Sequence, residues 1–326
     1  MEVIALGELL IDFTPHGMSE QGQPLFERNA GGAPANVLTG LARLGRETAF
    51  IGAVGNDEFG RYLGETLKET GINVDGLTFS DEAQTTLAFV HLDKDGDRSF
   101  TFYRKPGADQ MLRTEDVDYS KIAGAKLFHF GSVSMTHEPS RTATLATAAY
   151  AKSQGLIVTF DPNVRLPLWN NAEEAKVEIV KGMEIADIVK LSEDELELLT
   201  GESDLERGVD LLMERFNIKL LLITCGANGS YCRTSKQFGN VRTSHEGYKV
   251  EVVDTTGCGD AFFGGVIHCL LREEAPAAPT WSKDKLDNML IFANAMGALA
   301  ATRKGAISSL PTPNEIERFM SGEYVG

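Results

Sequence analysis

The stretch VVDTTGCGDAFFGG, residues 252–265, decides the fold because it joins a glycine-rich loop to the start of an apolar helix. Apolar side chains after Gly259 recur at i, i+3, i+4, i+7 and i+8, the spacing of one face of an amphipathic helix: Phe263, Val266, Ile267, Leu270 and Leu271. The pattern predicts a helix that begins near Asp260, with the glycines immediately before it.

The glycine-rich loop therefore lies at a helix N-terminus, which is suited to binding an anion. There the first backbone N–H groups have no partner within the helix, and the helix dipole is positive. Glycine also lets a ligand approach the backbone closely. We predict that the amides of Gly257, Cys258 and Gly259 form an anion hole for a transferring phosphoryl group, without help from lysine. Asp260 would face the attacking hydroxyl as the general base.

Other interpretations of this loop are weaker. An isolated G-x-G-D sequence is more often a helix with a glycine-rich start and an aspartate N-cap. A dinucleotide fingerprint, typical of an oxidoreductase, needs glycine at the sixth position of G-x-G-x-x-G, where this chain has Phe262. A Walker A loop needs a Gly-Lys pair, which the sequence lacks.

The composition sets limits on partners and compartment. The chain has 326 residues, of which 42% are hydrophobic, so a sizeable core is available. Its net charge of -16 disfavours nucleic acid as a partner. Its four cysteines include no C-x-x-C pair, which favours a reducing compartment over a zinc site. The N-terminus lacks a basic signal region and no apolar run approaches a membrane span, so we expect a cytoplasmic protein without membrane contact.

Short apolar runs alternate with amphipathic stretches along the chain. Helical spacing occurs in 34–44 and in 286–300. Such alternation indicates an α/β fold with a mainly parallel sheet that is covered by helices on both faces. No internal repeat or long linker interrupts it, so residues 1–326 are predicted to form one domain. The continuous apolar runs that indicate buried strands are 3–7, 48–54, 126–131, 156–161, 187–191 and 219–224.

One region departs from this rhythm. Residues 85–105 contain two β-rich runs around Asp95-Gly96, a dipeptide that favours a hairpin turn. In the second run Phe102 and Arg104 share one face, and Tyr103 and Lys105 share the other. The polar stretch 12–30 adds a further irregular strand. A small sheet of this kind is equally consistent with a lid and with a surface hairpin.

Two long motifs carry a family resemblance. The sequence DTTGCGDAFFGG resembles the C-terminal signature of the ribokinase-like (PfkB) sugar kinases, and residues 29–60, NAGGAPANVLTGLARLGRETAFIGAVGNDEFG, resemble their other signature. Two such signatures in the right order are highly specific. The similarity runs from Gly7 to Thr312, nearly the whole chain. Within the family, FYRKPGADQML (102–112) and FDPNVRLPLW (160–169) look most like fructokinases.

The resemblance implies a fold, a reaction and partners. The fold would be a three-layer αβα domain with a mainly parallel central sheet and a small β-sheet lid formed by segments 12–30 and 85–105. The reaction would transfer the γ-phosphoryl group of Mg-ATP to a primary sugar hydroxyl, with fructose 6-phosphate as the leading product. ATP and Mg²⁺ would be the cofactors, and many members are also activated by K⁺. Lids in this family pair between subunits, so a homodimer is expected.

The resemblance also assigns site residues. The catalytic base is Asp260, with Gly257 to Gly259 as the anion hole. The Glu195 carboxylate would organise magnesium through water, and Asp254 and Thr256 lie where potassium binds in the family. The residues assigned to the sugar are Asp12, Gly31, Gly32, Asn36, Tyr103, Arg104, Asp161 and Arg165. Those assigned to the nucleotide are Ser192, Glu195, Thr224, Gly226, Gly229 and Asn294.

Two positions depart from the family pattern. Ser192 replaces the asparagine of the N-x-x-E motif, so phosphate and magnesium contacts there would be rearranged. Cys258 replaces the usual alanine, and this leaves the backbone N–H of the anion hole unchanged. Plainer roles also exist: Asp12 as a turn acid, Asn36 as a helix cap, and Arg165 as a partner of Asp161.

The acceptor has alternatives. A neutral ketose would use Arg104 and Arg165 as hydrogen-bond donors, whereas 2-keto-3-deoxygluconate would use arginine as a carboxylate clamp. Kinases for that acid sugar share the fold and are the second choice. Arg104 and Lys105 also leave fructose 6-phosphate open as an acceptor. A non-catalytic binding regulator is the alternative of a different class, but such a protein should have lost Asp260 or its glycines.

Overall fold

The computed structural model describes residues 1–92, 98–273, 275–276 and 279–323. Its largest element is a nine-stranded sheet with the order β13-β12-β11-β10-β9-β8-β1-β4-β5. Seven neighbouring strands, from β11 to β5, are parallel, and β12 and β13 add an antiparallel edge. The strands are β1 Val3–Leu6, β4 Thr48–Gly55, β5 Asn73–Ser80, β8 Leu127–Gly131, β9 Ile157–Asp161, β10 Ile188–Ser192, β11 Leu220–Thr224, β12 Ser230–Thr234 and β13 Arg242–His245.

Helices cover both faces of this sheet. One face packs against α1, α2, α8 and α9, and the other packs against α3 to α7. This confirms the three-layer αβα arrangement, and every predicted strand and helix is present. The helices are α1 Ala33–Arg43, α2 Glu58–Glu69, α3 Tyr119–Ala123, α4 Ser140–Ser153, α5 Ala172–Ile185, α6 Glu193–Thr200, α7 Leu205–Arg215, α8 Cys258–Leu270, α9 Lys283–Ala301 and α10 Pro313–Met320. No helix of the described part of the chain is both long enough and apolar enough to cross a bilayer.

The central strands are apolar throughout because both faces of the sheet are buried. In β1, Val3 and Ala5 belong to the core under α1 and α8, whereas Ile4 and Leu6 belong to the core under α4 and α5. Successive side chains of a strand point to opposite faces. A strand buried on both sides therefore needs an unbroken apolar run.

A four-stranded sheet borders one end of the large sheet, with the order β3-β2-β6-β7. Both predicted lid segments, 12–30 and 85–105, contribute strands to it. The predicted turn at Asp95-Gly96 lies outside the described residues, and the division of the chain into one domain with two inserted segments stays a prediction. The four strands are β2 Leu10–Met18, β3 Pro24–Gly31, β6 Leu87–Leu92 and β7 Arg98–Tyr103.

Aromatic side chains gather on one face of this small sheet. Phe13 and Phe89 stack with their ring centroids 4.8 Å apart, and Phe26 and Tyr103 each meet Phe89 edge-on at 5.6 Å. Tyr103 is 64% exposed and Phe26 is 39% exposed. The sheet therefore presents an aromatic surface to solvent.

Candidate active site

Two cavities meet at the N-terminus of α8. The first, of about 410 Å³, is bordered by the small sheet and contains Asp12, Asn36 and Asp260 in its wall. The second, of about 700 Å³, lies on the other side of the loop, between α9 and the ends of β10 and β11. Thr255 and Gly259 line both cavities. A group bound in one cavity can therefore reach a group bound in the other across the glycine-rich turn.

The two glycines of this turn, Gly257 and Gly259, have different structural surroundings. Gly257 is the N-cap of α8 and has a φ of 77°, in the left-handed region that glycine adopts without strain. Gly259 has an ordinary backbone, but a Cβ there would lie 3.0 Å from the ammonium nitrogen of Lys190. The left-handed cap thus requires glycine at 257, and a side chain at 259 would have to displace the Lys190 ammonium group slightly.

Asp260 is held in the wall of the first cavity by two amides. Its Oδ2 accepts a hydrogen bond from Asn36 Nδ2 at 2.7 Å, and its Oδ1 accepts one from Asn163 Nδ2 at 3.3 Å. Burial, and then the nearby charge of Asp161, raises the pKa of Asp260 to about 6. The hydrogen bond from Asn36 and the charge of Lys190 act in the opposite direction. The carboxylate is therefore ionised at neutral pH but retains basicity.

The structure places a lysine, which the sequence analysis did not include, beside the predicted anion site. Lys190, on β10, lines the first cavity and places its ammonium group beside Gly259. Its Nζ donates to Asp161 Oδ2 at 2.8 Å, and both side chains are more than nine-tenths buried. Asp161, predicted as a sugar residue, is thus committed to Lys190, and Arg165 does not pair with it.

The glycines predicted to bind the sugar allow a carboxylate and a backbone carbonyl to approach them closely. A Cβ on Gly31 would lie 2.1 Å from Asp12 Oδ2, and one on Gly32 would lie 2.3 Å from the carbonyl oxygen of Glu8. Gly32 also has a φ of 129°. Burial raises the pKa of Asp12, on β2, to about 7, and the charge of Arg165 opposes that shift. The structure therefore brings four predicted sugar residues, Asp12, Gly32, Asn36 and Arg165, to one cavity.

The arrangement does not support sugar contacts for Tyr103 and Arg104. The exposed Tyr103 ring packs on Phe89, outside the cavity. Arg104 is buried, and its Nε and Nη2 donate to Asp109 Oδ2 at 2.8 and 2.6 Å. A guanidinium held in this way fixes the end of β7 to the body of the protein. The neighbouring Phe102 lines the cavity instead.

Most of the predicted nucleotide residues gather around the second cavity. Its wall contains the turn after β11, the loop before α8 and one face of α9. Gly229 has a φ of 88°, and a Cβ there would lie 1.9 Å from the carbonyl oxygen of His245. Asn294 donates through Nδ2 to Ser230 Oγ and to the Leu290 carbonyl, both at 2.7 Å. The predicted residues in this wall are Ser192, Thr224, Gly226, Gly229, Cys258, Gly259 and Asn294.

Glu195 lies behind this wall and lines neither cavity. Its Oε2 accepts from the Ser192 amide at 2.8 Å and its Oε1 from the Val164 amide at 2.6 Å. In return Ser192 Oγ accepts from the Glu195 amide at 3.1 Å, which completes a capping box for α6. Burial raises the pKa of Glu195, and the charge of Lys190 opposes that rise.

Asp254 joins two loops near the predicted anion hole. Its Oδ1 accepts from the Thr256 amide at 2.8 Å, and its Oδ2 accepts from the Gly305 amide at 3.0 Å. Thr256 lines the first cavity. The predicted potassium-side residues are therefore tied to the loop that carries the sequence KGAISS, residues 304–309.

Residues of the first cavity that sequence reasoning missed include Glu8, Phe102, Asn163 and Lys190. Two of these residues could have been found from their place in the sequence. Asn163 comes just after the apolar run 156–161, and Lys190 lies near the end of the run 187–191. The carboxyl ends of both runs face the site. Glu8 had a similar position after β1. It accepts from the Ala33 amide at 2.9 Å through Oε1, and its buried Oε2 has no hydrogen-bond partner among the described residues.

Comparisons with known proteins agree with this geometry. The model of the pfkB family carbohydrate kinases matches residues 2–313. A probable fructokinase-6, chloroplastic, of Arabidopsis thaliana is 44% identical over 321 residues, which cover 98% of this chain and 82% of that protein. A fructokinase from Xylella fastidiosa solved with bound ATP is 34% identical, with a TM-score of 0.89 and 98% of both chains covered.

A second solved relative is a double mutant of the fructokinase from Vibrio cholerae O395, in a form that holds fructose, ADP and a potassium ion. It is 35% identical, with a TM-score of 0.87 and 98% of both chains covered. A family match over nearly the whole chain and relatives of this identity leave no ambiguity about class. The chain belongs to the pfkB family of carbohydrate kinases.

Proposed function

We propose that this protein is an ATP-dependent fructokinase that converts fructose to fructose 6-phosphate. The observation that carries the proposal is the meeting of two cavities at the N-terminus of α8, with Asp260 in the wall of the first. The first cavity is the sugar site and the second is the nucleotide site. The shared turn is where the phosphoryl group would pass from ATP to the sugar.

The proposed mechanism assigns one role to each side of the turn. Asp260 accepts the proton of the attacking primary hydroxyl, and its pKa of about 6 suits a base at neutral pH. Amides at the start of α8, those of Gly257 to Gly259, stabilise the charge on the transferring group. Asn36 orients the base through its 2.7 Å hydrogen bond. Most of the rate gain would come from this positioning.

The charge of the first cavity favours a neutral sugar. Three acids, Glu8, Asp12 and Asp260, line it against two cations, Arg165 and Lys190, so a sugar carboxylate would meet more acids than cations. Fructokinases among the relatives support the same choice. One observation favours the acid sugar 2-keto-3-deoxygluconate as a second candidate: Arg165 lines the cavity and forms no ion pair within the described part of the chain. A guanidinium in that position is a suitable clamp for a carboxylate.

Magnesium fits this site as a companion of the nucleotide. Among the described residues, no group of three or more His, Cys, Asp or Glu side chains is placed to hold a metal ion. Mg²⁺ in such sites keeps several waters and is bound mainly through substrate phosphates and one or two carboxylates. Glu195 lines neither cavity, so it would act on such an ion only through water and through the Ser192 amide that it holds at the wall of the second cavity. The ion would neutralise part of the phosphate charge.

Three further roles belong to this proposal. The small sheet acts as a lid that closes over the sugar and excludes water. Its exposed aromatic surface, which includes Phe26 and Tyr103, pairs with the same surface of a second subunit in a homodimer. Potassium binds beside the loops that Asp254 joins. The compartment in which the protein works is the cytoplasm.

A coupled assay of ADP release tests the function. The panel is Mg-ATP with fructose, 2-keto-3-deoxygluconate, ribose or fructose 6-phosphate, for wild type, Asp260→Asn and the matched surface variant Asp118→Asn. We expect fructose-dependent turnover that falls by at least about 100-fold in Asp260→Asn and is unchanged in Asp118→Asn. Turnover only with the acid sugar would replace fructose but keep the mechanism. Equal turnover in all three proteins would remove Asp260 from the base role.

A further inference from the structure

Lys190 is a buried cation that the mechanism above does not use. Its side chain is 7% exposed and its Nζ donates to Asp161 Oδ2 at 2.8 Å. The same nitrogen lies 3.0 Å from where a Cβ on Gly259 would be. It therefore sits against the backbone of the anion hole, and it also lines the sugar cavity.

The surroundings keep this lysine charged. The neighbouring carboxylates of Asp161, Glu195 and Asp260 raise its pKa above the ordinary value, although burial opposes that rise. An ammonium group has three N–H donors, and Asp161 takes one of them. A buried ion pair is weak evidence of a contribution to stability, because an apolar pair of similar volume often serves as well. Because Lys190 lies beside Gly259, which lines both cavities, a role in ligand binding is the better explanation for the buried pair.

We propose that the Lys190 ammonium group donates a hydrogen bond to a non-bridging oxygen of the transferring γ-phosphoryl group. In the step, the bond from the γ-phosphorus to the β,γ-bridging oxygen breaks and a bond to the sugar hydroxyl oxygen forms. The hydroxyl proton goes to Asp260, ADP leaves with the bridging oxygen, and Lys190 keeps all its protons. The inference rests on the proposed kinase function and adds a cation to the site.

Asp161 is a positioning residue in this arrangement. Its Oδ2 holds the ammonium nitrogen, and its Oδ1 is buried without a hydrogen-bond partner among the described residues. One N–H of the Lys190 ammonium group is thus donated to Asp161. The other two N–H groups are left for a ligand in the cavity. If the pair were purely structural, each charge would serve only to neutralise the other. Removing both charges would then cost no more activity than removing Asp161 alone.

Three variants separate these explanations: Lys190→Met, Asp161→Asn, and the double variant that carries both changes. Lys190→Met alone leaves Asp161 buried and unpaired, and such a charge can unfold a protein. The double variant removes both charges, so its kcat decides between the two explanations. Each variant is checked by circular dichroism. Its kcat with fructose is then measured, and so is its affinity for Mg-ATP and Mg-ADP by calorimetry without sugar.

We expect kcat of the double variant to be about 100-fold below that of Asp161→Asn, as for the loss of one donor to a transition-state oxyanion. Affinity for ATP should fall more than affinity for ADP, since only ATP carries the γ-phosphoryl group. A double variant with the kcat of Asp161→Asn, or with equal losses for ATP and ADP, would overturn the proposal. Wild type without any sugar-dependent turnover would instead count against the kinase assignment itself.

Discussion

Replacing Asp260 with asparagine should stabilise the fold while it abolishes catalysis. Burial raises the pKa of Asp260 from 3.8 to about 6, a shift of about two units. Each unit corresponds to about 1.4 kcal/mol, so the ionised carboxylate costs about 3 kcal/mol of folding free energy at neutral pH. A carboxyl group whose folded pKa is raised contributes stability only below its unfolded pKa. That contribution is lost as the pH rises through the folded value.

The neutral amide should recover most of this cost. Its carbonyl oxygen can still accept from Asn36, but its amino group would face the Nδ2 donor of Asn163. The mismatch costs about 1 kcal/mol, which leaves a net gain of about 2 kcal/mol. For a chain of this size each kcal/mol raises the midpoint of thermal unfolding by about 2 °C, so we expect about 4 °C.

The assay is thermal unfolding of wild type, Asp260→Asn and the control Asp118→Asn at pH 7.5 and at pH 4. The gain in Asp260→Asn should be full at pH 7.5 and absent at pH 4, where wild-type Asp260 is protonated and only the cost of the mismatch with Asn163 remains. Asp118→Asn should show no such gain at pH 7.5, since Asp118 is exposed. A gain of the same size at both pH values, or no gain at pH 7.5, would refute the link between ionisation and stability.

Two further predictions concern the sugar glycines and the lid. Gly32→Ala should destabilise the fold by about 2 kcal/mol in urea unfolding and raise KM for fructose, because its φ is 129° and its Cβ would meet the Glu8 carbonyl. Gly124→Ala, at an uncrowded position, is its control, and equal effects would contradict the argument. Light scattering should show a dimer for wild type and a monomer for Phe26→Asp. A wild-type monomer would contradict pairing through the lid.

The layered fold could be predicted from the sequence because its central strands are buried on both faces. Their unbroken apolar runs, such as Leu220–Thr224, stand out from any amphipathic helix. The two edge strands of the large sheet, β5 and β13, have no unbroken apolar run. β5 reads NVDGLTFS and is only half-buried, and β13 reads RTSH with one buried residue. Polar residues are tolerated there because one side of an edge strand faces water.

The site was predicted in part, through residues whose backbone demands are visible in the sequence. Gly32 and Gly257 have a positive φ, and Gly31 and Gly32 are approached closely by other atoms, which are demands that glycine meets most easily. The pairing of Asn36 with Asp260, 224 residues apart, was not visible in residue spacing. It required the family resemblance to place both residues at one site. Tyr103 and Arg104 were assigned by the same resemblance, but the structure directs one to solvent and the other to Asp109.

Lys190 was missed because overall charge was used to infer local charge. A chain of net charge -16 invites an anion site made of amides alone. A buried charge is screened much less than a surface charge, however, so the ammonium group beside Gly259 acts on that turn more strongly than distant surface acids do. The neighbouring Asp161 makes this lysine possible, since it compensates the buried charge. The net acidity of the chain and the presence of a buried cation beside Gly259 are therefore independent properties.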